Sequence, residues 1–139
     1  MELRKQKWDE SYSRHENSIF FPKEEVVKFL NRFIRKKVGT ESFQDLIVTG
    51  DKLRALDLGC GIGRQTILFE EFGIEGYGID ISSVAIEEAK ELSRTMGYAM
   101  NSRFKILNKI EIPFEDNYFD FGISDSVLDS MDFSFAKLY

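Results

Sequence analysis

The chain has 139 residues, 42% of them hydrophobic and 14% aromatic, which is enough to bury one sizeable core and matches the usual length of one domain. Its 19 basic and 24 acidic residues give a net charge of −5 with no basic block, so nothing draws a phosphate backbone by long-range attraction and nucleic acid is disfavoured as a partner. No apolar run approaches the ~20 residues of a membrane span and the N-terminus is too polar for a signal peptide, so a soluble protein without a membrane partner is expected.

Residues 1–21 are polar, with Trp8, Tyr12, Phe20 and Phe21 scattered among them and no helical or alternating period. They read as a gating arm or a packed leader. A leading helix is expected over 22–39: Pro22 suits a first turn, Glu24 and Glu25 favour the positive end, and Val26, Val27, Leu30, Phe33 and Ile34 form one apolar face. Lys36, Lys37 and Gly39 mark its end. The stretch "TESFQDLIVTGDK" fits either a helix end or a short strand.

From Leu53 onward, strands alternate with amphipathic helices. "LRALDL" reads as a strand, "GRQTILFEEF" as a helix closed by Gly73, and "IEGYGIDI" as a second strand. Ser82 or Ser83 can cap "VAIEEAKELSRTM", a helix with Ile86, Ala89 and Met96 on one face and Gly97 at its end. "RFKIL" and "YFDFGIS" complete a set of four strands, the last introduced by a turn at "EDN". Such alternation implies parallel pairing through right-handed crossovers, hence a doubly wound α/β sheet.

Ligands of such sheets bind beyond the carboxyl ends of the strands, where the strand order reverses. Gly59, Gly61 and Gly63 follow "LRALDL" at such an end. Without side chains the loop turns tightly and lets a ligand approach the main chain, and the next helix begins with unpaired N–H groups. Asp80 ends the second strand, where an acid receives two ribose hydroxyls, so an adenosine-bearing cofactor is predicted. The third position after Gly61 is Arg64, so the dinucleotide pattern Gly-x-Gly-x-x-Gly fails. The lysine with serine or threonine that a triphosphate loop needs is absent too.

"LDLGCGIGR", followed by "GIDIS" and then "IPFEDNYFDFGISDSVLDSM", resembles the class I S-adenosylmethionine-dependent methyltransferases, most closely the broad set acting on small molecules. Three motifs in the right order, over roughly Trp8 to the end of the chain, carry the resemblance. It implies S-adenosylmethionine as cofactor and a Rossmann-like fold, of which this chain supplies the N-terminal four-strand portion of a seven-stranded sheet. It implies that Asp57 orients the methionyl ammonium side, Gly59, Cys60 and Gly61 line the methionine and ribose, and Asp80 chelates the ribose. Ile81 packs on the adenine face. Asn108 stands where the family usually has an aspartate for the adenine amine, and its side-chain oxygen accepts the same bond. Lys109 offers a backbone N–H to the ring, and Ser124 a carbonyl to the ammonium. The cofactor is a sulfonium without a pyrophosphate, with which the carboxylate of Asp57 is compatible.

Activation for methyl transfer is intrinsic to the cofactor, so alignment and a dry site are the protein's tasks and no catalytic residue is demanded. Asp125 and Ser126 are the candidates for lining the methyl pocket, and Tyr12 for closing over it. Plainer readings stand beside these. Asp80 also suits a helix cap, Asp125 and Asp129 the start of the next helix, Glu87 and Glu88 a wet helix face, and His15 the solvated surface. Cys60, the only cysteine, has no histidine near it in sequence and reads as a loop-filling residue; an intramolecular disulfide is impossible and a cytosolic location is expected. Ligand spacing suggests no metal site.

The expected organisation is one domain, 1–139, with an arm (1–21), a leading helix (22–39) and a cofactor-binding portion (53–139) whose C-terminal part is missing. A truncated chain, a natural fragment, or a chain that pairs its open sheet edge with another copy would each account for this. Two functional classes follow: a methyltransferase, or its cofactor half, acting on a small-molecule acceptor; and a non-catalytic S-adenosylmethionine-binding module. A nicotinamide-dependent oxidoreductase is a distant third.

Overall fold

Ala55, Leu56, Asp57 and Leu58 are all buried, because the strand they build is covered on both faces. In the computed structural model, which describes residues 2–14, 21–47, 52–108 and 111–124, this strand lies inside a four-stranded parallel sheet. The elements in chain order are α1 (Glu2–Ser13), α2 (Glu24–Phe29) running on as a π-helical turn (Leu30–Ile34), β1 (Arg35–Lys37) and β2 (Phe43–Asp45). Then come β3 (Arg54–Leu58), α3 (Arg64–Glu71), β4 (Glu75–Asp80), α4 (Ser83–Thr95), β5 (Phe104–Ile106) and β6 (Phe121–Ser124).

The sheet order is β5-β4-β3-β6, so the chain winds one way from β3 through β4 to β5 and returns to the other side of β3 for β6. That is the expected winding in two directions, and the order reverses between β3 and β6. One face carries the helices. Val26, Leu30 and Ile34 pack with Leu53, Ala55, Leu68, Phe69 and Ile74, and Ile67 of α3 meets Ile86 and Ala89 of α4 over Phe104. Gly76 and Gly78 bring no side chain to this face, so α3 and Cys60 approach β4 closely. On the opposite face Leu56, Leu58, Tyr77, Ile79 and Leu107 are covered by Phe114, Tyr118 and Phe119, whose rings meet that of Tyr77 at about 5.4 Å. Each fully buried side chain such as Phe69 or Ile79 contributes roughly 1.5–3 kcal/mol by leaving water.

Four expectations need correction. Residues 2–13 are helical, although 1–21 shows no period: α1 is polar on nearly every side and buries only Tyr12. The leading helix begins after Pro22, at Glu24, and ends at Ile34 rather than near Gly39, because Arg35–Lys37 pairs antiparallel with Phe43–Asp45. Arg35 fixes that junction, donating to Asp45 Oδ1 at 2.5 Å and to the carbonyls of Phe72 and Gly73 at the end of α3. Phe33 is 62% exposed instead of buried, since the wider π turn keeps the i, i+4 positions Val26, Leu30 and Ile34 inward and swings Phe33 out. Met96 is likewise exposed at the end of α4, while Ile86 and Ala89 are buried as expected.

Candidate functional site

The loops that leave β3 and β4 meet at the carboxyl edge of the sheet. Gly59 and Cys60 both donate their N–H groups to the carbonyl of Ile79, at 2.8 and 2.9 Å, which seats the glycine loop on the end of β4. Gly59, Gly61 and Gly63 have φ of 74°, 56° and 81°, left-handed values that glycine adopts without steric cost. This conformation turns the Gly61 N–H toward Asp80, whose Oδ2 accepts it at 2.8 Å. Its Oδ1 accepts the Ser82 N–H at 2.9 Å.

Asp80 is therefore held by the two loops at once. It is 8% exposed, and burial pushes its carboxyl above the ordinary carboxylate range; the Ser82 and Gly61 N–H groups pull it back and the Asp9 carboxylate adds to the rise. Carboxylate oxygens carry about four lone-pair sites in all, so acceptor capacity for hydroxyl donors remains.

Asp57 is buried in β3 and accepts a hydrogen bond from the Thr66 hydroxyl of α3 at 2.8 Å. Gly63 precedes α3, and its Cβ side faces the Phe104 ring and Ala89. Cys60 is buried; burial, then the charges of Asp80 and Asp57, push its thiol up, which keeps it protonated and unreactive. Ile81 is half-buried against the Leu56–Tyr77 cluster. Asn108 is exposed and follows Leu107, whose N–H bonds the Asp80 carbonyl at 2.8 Å, so it stands beside the end of β4. Ser124 ends β6 opposite Leu58. Lys109, Asp125, Ser126, His15 and Asp129 lie outside the described residues.

Tyr12 is brought to this loop by α1. Its hydroxyl oxygen is 2.5 Å from where a Cβ on Gly61 would stand. Burial, reinforced by the charge of Asp80, pushes the phenol far above its ordinary value, so Tyr12 is a neutral hydroxyl and not a base. Two residues that the sequence did not single out for the site belong to its frame. Ser82 was legible only as one of two helix caps, and it does cap α4, accepting the Ala85 N–H at 3.1 Å. Asp9 receives the Ser82 hydroxyl at 2.5 Å across 73 positions of chain, a pairing no local pattern announces.

This set of acceptor carboxylates suits a cationic ligand with a diol better than a phosphate ester. Asp9, Asp57 and Asp80 cluster at the loops, and the guanidinium that follows the glycines, Arg64, is ion-paired to Glu71 at 2.7 Å. Among the described residues, no helix is long and apolar enough to cross a membrane.

Residues 49–138 match a family model described as a methyltransferase domain. Tocopherol O-methyltransferase of Arabidopsis thaliana is 27% identical over 122 residues, covering 81% of this chain and 35% of that protein. A putative S-adenosylmethionine-dependent methyltransferase of Methanococcus maripaludis superposes with a TM-score of 0.58 at 23% identity, over 81% of this chain and 46% of its own. A protein solved in work on converting a disulfide bond into a thioacetal group during echinomycin biosynthesis gives a TM-score of 0.65 at 19% identity, over 86% of this chain and 42% of its own. These two likenesses concern the fold. This chain spans less than half the length of each of the three.

Proposed function

Because the chain belongs to the class I S-adenosylmethionine-dependent methyltransferase family, we propose that it supplies the cofactor half of an enzyme that methylates a small-molecule acceptor. The observation that carries this reading is Asp80, a buried carboxylate at the end of β4, pinned by the Gly61 and Ser82 N–H groups at the carboxyl edge of a parallel sheet, beside β3, where the strand order reverses. In this reading Asp80 accepts both ribose hydroxyls. Gly59, Cys60 and Gly61 present main chain along the ribose and methionine, Asp57 balances the ammonium, and Ile81 and Asn108 hold the adenine. Gly63, Lys109 and Ser124 complete the set through the main chain.

The cofactor, when bound, supplies a methyl group on a positively charged sulfur. The chain's own task is placement: the loops fix where that group stands, and α1 excludes water from the loop side. Tyr12 closes over the methyl pocket, with Asp125 and Ser126 lining it. A cytoplasmic location fits the single reduced cysteine, and pairing of a second copy along β6 is the proposed oligomer. The small-molecule class of acceptor is supported by the tocopherol relative, whose name states such a substrate.

Calorimetric titration with S-adenosylhomocysteine, with NADH in parallel, tests the reading. Saturable one-to-one binding of the first alone is expected. Binding of NADH, or no binding by a chain shown to be folded, refutes it.

The Asp80 environment sets a pH dependence. Only the ionised carboxylate can serve the two N–H groups and accept hydroxyls together, and its pKa in the free protein lies above the ordinary value. Affinity for S-adenosylhomocysteine is thus full above that raised pKa and falls as pH drops through it, beginning at a higher pH than for an ordinary aspartate. A titration series from neutral to acid pH checks this; affinity that stays flat down to pH ~4, the ordinary aspartate value, contradicts it.

A further inference from the structure

The two residues whose N–H groups hold Asp80, Gly61 and Ser82, are both contacted by the same element, α1. Tyr12 rests on Gly61, the donor to Oδ2. Asp9 holds Ser82, the donor to Oδ1. The Ser82 hydroxyl has one hydrogen, and it is committed to Asp9 Oδ1 at 2.5 Å, so the oxygen's lone pairs face the Ala85 N–H at 3.1 Å. Asp9 Oδ1 also accepts the Val84 N–H at 3.3 Å, placing a carboxylate from another helix at the positive end of α4.

α1 itself has little reason to be ordered alone. It has 12 residues, is polar on nearly all sides, and is attached mainly through Trp8, Tyr12 and Asp9 to Ile62, Ala85, Val84 and Ser82. Helices of this length are marginal in water without tertiary contacts. Its order therefore depends on the loops it touches, and the loops depend on it.

We infer that Asp9 is a positioning residue for the cofactor site: acting through Ser82, it sets the hold on Asp80, so that docking of α1 and binding of the nucleoside are one coupled equilibrium. The inference rests on the proposed role of Asp80. Its thermodynamic content is reciprocal: whatever α1 docking contributes to affinity, the bound ligand returns to α1 as order.

The test uses the full chain, with Asp9→Ala and Asp9→Asn, S-adenosylhomocysteine titrations, and amide hydrogen exchange of residues 2–13 with and without that ligand. In the wild type the ligand slows exchange in 2–13. Asp9→Ala weakens binding by about five- to tenfold, within the usual range of coupling between sites, and abolishes the slowing. Asp9→Asn, whose side-chain oxygen still accepts the Ser82 hydroxyl, recovers most of both. A purely structural Asp9 would change the melting temperature and leave the ligand-dependent exchange in place, which overturns the inference. Wild-type or tighter affinity in Asp9→Ala overturns it as well, the latter by showing that α1 obstructs the site. If Asp9→Ala fails to fold, the wild-type exchange and Asp9→Asn decide by the same criteria. Failure of the wild-type chain to bind refutes the cofactor reading and this inference together, whereas wild-type binding with indifferent variants refutes this inference alone.

Discussion

Asp80→Ala is expected to weaken S-adenosylhomocysteine binding by about fivefold to more than a hundredfold, which corresponds to about 1–3 kcal/mol. Two losses combine. The ribose hydroxyls lose a charged acceptor, a bond of roughly 1.5–3 kcal/mol. The Gly61 and Ser82 N–H groups, which now end on the two oxygens of one buried side chain, lose their acceptor as well. Each buried donor left unpaired costs on the order of 1–3 kcal/mol, so the variant also melts at a lower temperature. Asp80→Asn separates the two contributions: its single side-chain oxygen can serve one N–H, while its amide group turns a donor toward the other. Calorimetry with a parallel thermal melt measures both. Undiminished affinity in Asp80→Ala would end the ribose assignment, and undiminished stability would show that the loops do not need the carboxylate to stay in register.

Gly63→Val is expected to be the most damaging single change to stability, at about 2–5 kcal/mol. Gly63 has φ of 81°, where an L residue is disfavoured by roughly 1–2 kcal/mol and a β-branched one by more. The space is occupied as well. A Cβ would stand 2.8 and 2.9 Å from two ring atoms of Phe104 and 3.0 Å from the Ala89 Cβ. Phe104 is fixed in β5 and Ala89 in the middle of α4, both buried, so the crowding is relieved only by parting α4 from the sheet. Overpacking of that kind costs typically 1–3 kcal/mol. Set against the 5–15 kcal/mol by which domains are usually stable, the sum removes a large part of the reserve. Urea denaturation followed by circular dichroism gives the difference directly. A loss under about 1 kcal/mol would mean that the Phe104 layer yields more easily than its burial implies.

The central sheet was legible because its signals are local. "LRALDL" and "IEGYGIDI" are short apolar strands closed by glycine or serine, and the glycine loop between the first strand and α3 is a turn written into three alternate positions. The carboxylates Asp57 and Asp80 could be placed at strand ends for the same reason. α1 was not legible, since a helix recognised by an apolar face needs one, and this helix faces the body of the protein with little more than Trp8 and Tyr12. The β1–β2 pairing was hidden in the same way: "RKK" has no apolar alternation, and its place is set by the reach of Arg35 to Asp45 and to the end of α3. At the site, sequence pointed to Asp80 as a ligand for sugar hydroxyls. What the structure shows of Asp80, a clasp between two loops, depends on main-chain N–H groups that no residue pattern displays.

Trp8, the only tryptophan, gives α1 an optical consequence. Its indole is partly buried, 6.0 Å from the ring of Tyr12 and packed with Ile62 and Ala85 near the glycine loop. Excited at wavelengths beyond the tyrosine absorption, the unlabelled chain consequently emits from this one residue. A shift toward longer wavelength reports that this helix has met water, whether or not the sheet beneath it has melted.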